Sequence, residues 1–175
     1  FKPDDRTLWR AAECEYLLGD AARAAEAFAR LRTSDALSNI EQTRAGVEYV
    51  AALVRCGRLA EADAETRASA SKARRVSEAD LLAVTASSAI LSMLTKPDSD
   101  PQQSASLRLL VSLFPKQWVE YRDDIEFFAG ELELARGRQA AAKTRFQRCI
   151  DTARDQWPVE WARLRLKQLA AKGGK

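Results

Sequence analysis

The chain has 175 residues, 46% hydrophobic and 30% charged with only 7 Gly and 5 Pro, a balance that fits one well-buried domain and excludes disorder. The formal charge is only +3, and no apolar run approaches the roughly 20 residues that cross a bilayer. A count of zero histidines removes the commonest general base, the Ser-His and Cys-His dyads, and most zinc sites.

Ala, Leu, Arg and Glu dominate, and they lose little freedom in a helix. The opening Phe1-Lys2-Pro3-Asp4-Asp5 is not a signal peptide and lacks an initiator Met, which predicts a piece of a longer protein. A first helical hairpin is expected over about 4–33, turning at Gly19-Asp20. Ser38-x-x-Glu41 is a capping box that opens a second, about 38–73, whose first helix reaches Cys56 before the turn at Gly57-Arg58-Leu59. Ser77 and Asp80 open a third, about 78–114, which turns near Lys96–Pro101 and is stopped by Pro115. A fourth, about 117–154, turns at Gly137-Arg138. Pro158 then starts a last helix, about 158–172, whose apolar stripe Val159, Ala162, Leu166 and Leu169 suits it to seal the end of a stack.

The turns share a downstream pattern. Gly19 leads to Ala24 and Phe28, Gly57 to Ala62, and Gly137 to Ala142 and Phe146. A Gly can end the first helix in a left-handed conformation, the Ala lets the second helix come close, and the aromatic fills the gap between hairpins. Gly19 to Gly57 is 38 residues and Gly57 to Gly137 is 80, about twice that, so a degenerate unit should turn midway. Cys14, Cys56 and Cys149 form neither a disulfide framework nor a zinc pattern, and are expected to be small buried hydrophobes in a reducing compartment.

Trp9-x-x-Ala12-Glu13-x-x-Tyr16 with Ala24-x-x-x-Phe28 resembles the tetratricopeptide repeat family, across nearly the whole chain apart from the Gly-less third unit. The resemblance implies a single all-α domain, a right-handed α-solenoid of about four antiparallel hairpins plus a C-terminal capping helix. The period here is longer than the family's roughly 34 residues. The implied function is a protein–protein interaction scaffold that binds a partner's peptide or helix in a concave groove lined by each first helix. With the Gly as anchor, the groove candidates are Arg6, Trp9, Glu13 and Tyr16, then Arg44, Val47, Glu48 and Arg55, then Asp124, Phe127 and Glu131. Trp9 and Tyr16 could equally be core between hairpins. A clamp for a C-terminal carboxylate is not supported, because Trp9 and Glu13 hold the corresponding first-hairpin positions.

Charge is uneven: residues 136–175 carry 11 Lys and Arg against 3 Asp and Glu. Arg145, Arg148, Arg163, Arg165 and Lys167 form the candidate basic patch. These cations read first as an ordinary solvated helix surface, then as a match for an acidic protein surface; the alternative function is a regulatory module that meets nucleic acid or another anionic surface through this end. Aromatics are not interleaved there for base stacking, so a protein partner is preferred to nucleic acid. Self-association through an open N-terminal end is a third reading. Phosphate-binding Gly loops, GxSxG and CxxC are missing, so no enzyme activity, cofactor, metal or small-molecule substrate is expected. The Ala- and Arg-rich composition points to a GC-rich bacterial genome, where domains of this family assemble secretion, pilus or exopolysaccharide machines. The compartment expected is the cytoplasm, with the soluble part of a membrane-anchored protein and the periplasm as alternatives.

Overall fold

The computed structural model describes residues 4–73, 122–152 and 156–173. The expected third hairpin, 78–114, and the start of the fourth lie outside the described residues. Those described are helical, without a strand: α1 (Asp5–Leu18), α2 (Ala21–Leu31), α3 (Asn39–Arg55), α4 (Leu59–Ala73), α5 (Arg122–Ala135), α6 (Gln139–Thr152) and α7 (Gln156–Gly173). They fall into two compact units, Phe1–Lys96 with α1–α4 and Pro97–Lys175 with α5–α7.

Local chemistry sets the helix ends. Asp4 and Asp20 accept from the backbone N–H of Thr7 and Arg23 at 2.8 and 3.1 Å, satisfying N–H groups that the first turn leaves without a helical partner. Ser38 and Glu41 complete the capping box: the Glu41 N–H donates to Ser38 Oγ at 3.3 Å, and the Ser38 N–H donates to Glu41 Oε2 at 2.8 Å. Three first helices end on a left-handed glycine, Gly19, Gly57 and Gly137, at φ of 115°, 80° and 73°. In each, the N–H after the glycine reaches the carbonyl five residues back (Asp20 to Glu15, Arg58 to Leu53, Arg138 to Glu133), all at 2.9 Å. One sequence signal thus makes one turn three times.

Packing follows from the same register. Ala24, Ala62 and Ala142 are fully buried, as are Phe28 and Phe146. In the first unit α1 packs on α2, α2 on α3, and α3 on α4. Arg32 at the end of α2 also pairs with Glu65 of α4 at 2.9 Å. In the second unit α6 packs on α5, and α7 packs on both. Phe127 is the centre of that unit's core, with ring centroids of Phe128, Phe146 and Trp161 at 5.4, 5.8 and 5.5 Å. Gly130 lets α5 and α6 touch, because a Cβ there would stand 2.5 Å from the Phe146 ring.

Two expectations change. The last helix starts at Gln156, so Pro158 is its third residue rather than its first. Proline is tolerated there because first-turn N–H groups have no helical acceptor. Of the three cysteines only Cys149 is buried; Cys56 caps α3 half-buried, and Cys14 is exposed on α1. Its face of α1 points away from α2 and α3, which position 14 alone could not reveal.

Candidate functional site

Helix α3 reaches α1 through charge and aromatic contacts. Glu13 of α1 is only 5% exposed. It accepts from Arg10 at 3.1 Å and lies 3.7 Å from the Arg44 guanidinium of α3. Arg44 also pairs with Glu48 at 3.1 Å, and its guanidinium stands 5.5 Å from the Trp9 ring centre. Further along, Arg55 covers the Tyr16 ring at 4.9 Å and donates to the Tyr16 carbonyl oxygen. Carboxylates this buried need cationic partners, and each cation–aromatic contact adds roughly 0.5–2 kcal/mol.

Six of the eight candidates on α1 and α3 therefore meet one another: Trp9, Glu13, Tyr16, Arg44, Glu48 and Arg55. Tyr16, Val47 and Glu48 are buried. Arg6 and Arg10 are exposed to solvent, and Trp9, Arg44 and Arg55 are so in part. The carboxylates lie underneath, so the open side of this face is cationic and aromatic. The sequence pattern missed Arg10, which reaches Glu13 from the exposed flank; its i, i+3 spacing was the available signal.

The remaining candidates sit within the second unit. Asp124 is half-buried in the first turn of α5, and Phe127 is fully buried beneath Trp161. Glu131 is held by Arg165 of α7 through two bonds, Nε at 2.6 Å and Nη2 at 3.1 Å. Helix α7 covers Phe127 and Glu131. Arg165, named for the basic patch, is 2% exposed, and Arg145 is half-buried against Glu126 at 3.1 Å. Both are consumed by carboxylates of α5, which leaves Arg148, Arg163 and Lys167 as the exposed cations of the group.

The two sets share a frame. Ten residues before the turn glycine stand Trp9 and Phe127, and six before it Glu13 and Glu131. The sixth residue of the helix after the hairpin, Arg44 of α3 or Trp161 of α7, lies on that aromatic ring, both at 5.5 Å. The tenth residues, Glu48 and Arg165, join the charge cluster. Position repeats while chemistry varies.

No family model, curated protein or solved structure matches the chain.

Among the described residues, no group of three or more Cys, Asp or Glu side chains is placed to hold a metal, and no helix is long and apolar enough to cross a membrane. The Cys149 thiol is pushed up to about 12 by burial first, and then by the charges of Asp123, Asp124 and Glu126. At neutral pH it is a protonated packing group rather than a nucleophile.

Proposed function

We propose that the chain is a protein-interaction scaffold of the tetratricopeptide type, about four hairpins in a right-handed solenoid closed by α7. It holds a segment of a partner protein on the α1–α3 face. The observation that carries this reading is the repeated turn: the same Gly and Ala spacing three times, with an aromatic four residues on in two of them, closed each time by the same 2.9 Å bond. A stack of such turns sets first helices side by side and leaves one side of each for a ligand.

The chemistry of the face narrows the partner. Arg6 and Arg10 are exposed on α1 and Arg44 lies on the half-buried Trp9 ring, while Glu13 and Glu48 are buried. A segment carrying carboxylates next to one aromatic or aliphatic side chain fits this surface, with charge setting register and on-rate. Selection of a random peptide library on the immobilised chain should enrich acidic sequences with one large apolar residue. Trp9→Ala and Arg6→Ala should each weaken the selected peptides about tenfold, or 1.4 kcal/mol, with unchanged circular dichroism. Enriched peptides that bind both variants as tightly as the parent would sink the assignment.

A second reading has an observation of its own: Arg148, Arg163 and Lys167 are exposed on α6 and α7. They fit an anionic surface, and such binding would fall steeply with salt. Neutralising all three should flatten the salt dependence; retention of nucleic acid by the triple variant would remove this reading.

A further inference from the structure

Glu13 and Glu131 stand at the same place before their turn glycines and are tied down in opposite ways. Glu131 has Arg165, whose side chain is 2% exposed and makes two bonds to it, at 2.6 and 3.1 Å. Withdrawing Arg165 would strand a buried carboxylate, so that pair resists exchange. Glu13 meets two guanidiniums instead. Arg10 of its own helix donates to Oε2 at 3.1 Å, and Arg44 of α3 stands 3.7 Å from Oε1, beyond hydrogen-bond length. Arg10 can therefore keep Glu13 neutralised when Arg44 turns to another anion.

Arg44 is placed to change partners without moving far. Its Nε donates to Glu48 at 3.1 Å and its guanidinium lies against the Trp9 ring, while Nη2 is the atom that faces Glu13. The Nε bond and the ring steady the group as its Nη edge exchanges one carboxylate for another. With 41% of its side chain exposed, Arg44 is within reach of a ligand, and Arg165 is not.

We propose that Glu13 is a built-in competitor for the acidic partner segment. In the unliganded chain it faces the Nη edge of Arg44; an arriving side-chain carboxylate takes its place there, and Arg10 stays on Glu13. This rests on the reading of the α1–α3 face given above and adds what regulates that face. Charge accounts for the direction. Arg10 and Arg44 balance Glu13 and Glu48, two against two, so the cluster offers an anion no net attraction while both carboxylates remain. A lone carboxylate gains little by replacing another. A segment that also brings an apolar side chain to Trp9 gains the difference, so the exchange selects the combination over charge alone.

The probe is the acidic peptide most enriched by the library selection, titrated by fluorescence anisotropy against the intact chain beside a counterpart with its carboxylates replaced by amides. Glu13→Gln, which keeps the shape, should tighten the acidic peptide about fivefold and leave the amide counterpart unchanged. Arg10→Ala, at a side chain 78% exposed, should weaken the acidic peptide about fivefold in the parent but less than about twofold beside Glu13→Gln, where no carboxylate is left for Arg10 to hold. A general field of charge would make the two substitutions additive, and additive effects overturn the exchange. So does a Glu13→Gln variant that binds the acidic peptide no more tightly than the parent; if Trp9→Ala and Arg6→Ala still weaken it, the face itself stands. Where circular dichroism shows Glu13→Gln unfolded, unchanged binding by Arg10→Ala overturns the proposal alone. If the library enriches no acidic peptide, the reading of the face falls and the proposal with it.

Discussion

Replacing Arg165 by Ala separates two opposite accounts of the same residue. As part of a surface patch, Arg165 would be nearly neutral for stability, within about 0.5 kcal/mol, and its loss would weaken anion binding. In the structure it is 2% exposed and clasps Glu131, itself 8% exposed, through bonds of 2.6 and 3.1 Å, while its other nitrogen donates to Gln168 at 2.8 Å. Truncation strips a buried carboxylate of its guanidinium, and breaking a buried pair from one side costs about 3–5 kcal/mol. Urea unfolding followed by circular dichroism should show the transition of the α5–α7 unit move down by roughly 2 M, taking a slope near 2 kcal/mol/M. Arg165→Lys should recover only part, since an ammonium cannot copy the two-pronged contact. The double replacement Arg165→Met with Glu131→Leu should return close to the parent or exceed it, because no charge is then left to desolvate. A cost under about 0.5 kcal/mol for Arg165→Ala would refute the buried pair and restore the patch.

Gly130→Ala should destabilise by about 1 kcal/mol: overpacking against Phe146 costs about 1–3 kcal/mol, and the gain in helix propensity returns up to about 1. Gly46→Ala on α3, where a Cβ meets nothing within 4 Å, should stabilise by up to about 1 kcal/mol in the same urea assay. Ser38→Ala should cost about 1 kcal/mol near neutral pH. The Glu41 carboxyl is held below its ordinary 4.5, first by the Ser38 side chain and then by its backbone. Stability from a lowered carboxyl is complete above the ordinary value and lost as pH falls through the folded one, so the penalty of Ser38→Ala should shrink in acid titrations below about pH 4.5. The Cys149 thiol is raised from 9.0 to about 12, so its contribution is complete below pH 9 and lost as pH climbs toward 12. At neutral pH alkylation should mark Cys14 while leaving Cys149 unmodified, read by peptide mapping.

Much of the architecture was legible because its signals are local. A left-handed turn needs Gly, a close helix contact needs Ala, and a capping box needs Ser and Glu three apart, so 19, 57, 137, 24, 62, 142, 38 and 41 can be read from neighbours in the chain. The site was only half legible, for a physical reason. Whether a side chain is a ligand contact or a structural tie depends on what another helix brings to it, and that helix lies 30 or more residues away. Glu13 reads as a groove residue until Arg44 is seen beside it, and Arg165 reads as surface charge until Glu131 is.

The two frames show how far such reading can go. At Trp9 the helix after the hairpin, α3, supplies a cation, and at Phe127 the helix after the hairpin, α7, supplies Trp161, although both partners are the sixth residue of their helix and both rings lie at the same distance. Geometry fixes which positions meet, and the residues at those positions decide whether the meeting is wet or dry. Arg44 keeps part of its surface in water and Trp9 stays half-buried, whereas Trp161 closes the corresponding place on α5, where Phe127 is fully buried. The open face should therefore belong to α1 and α3, and a substitution that makes position 44 aromatic, Arg44→Trp, should close it. That variant should lose the selected acidic peptides, and its urea midpoint tells why: burial of Glu13 and Glu48 beside an indole in place of a guanidinium should also lower stability. A variant that binds normally would show that the ligand never touches this part of the face.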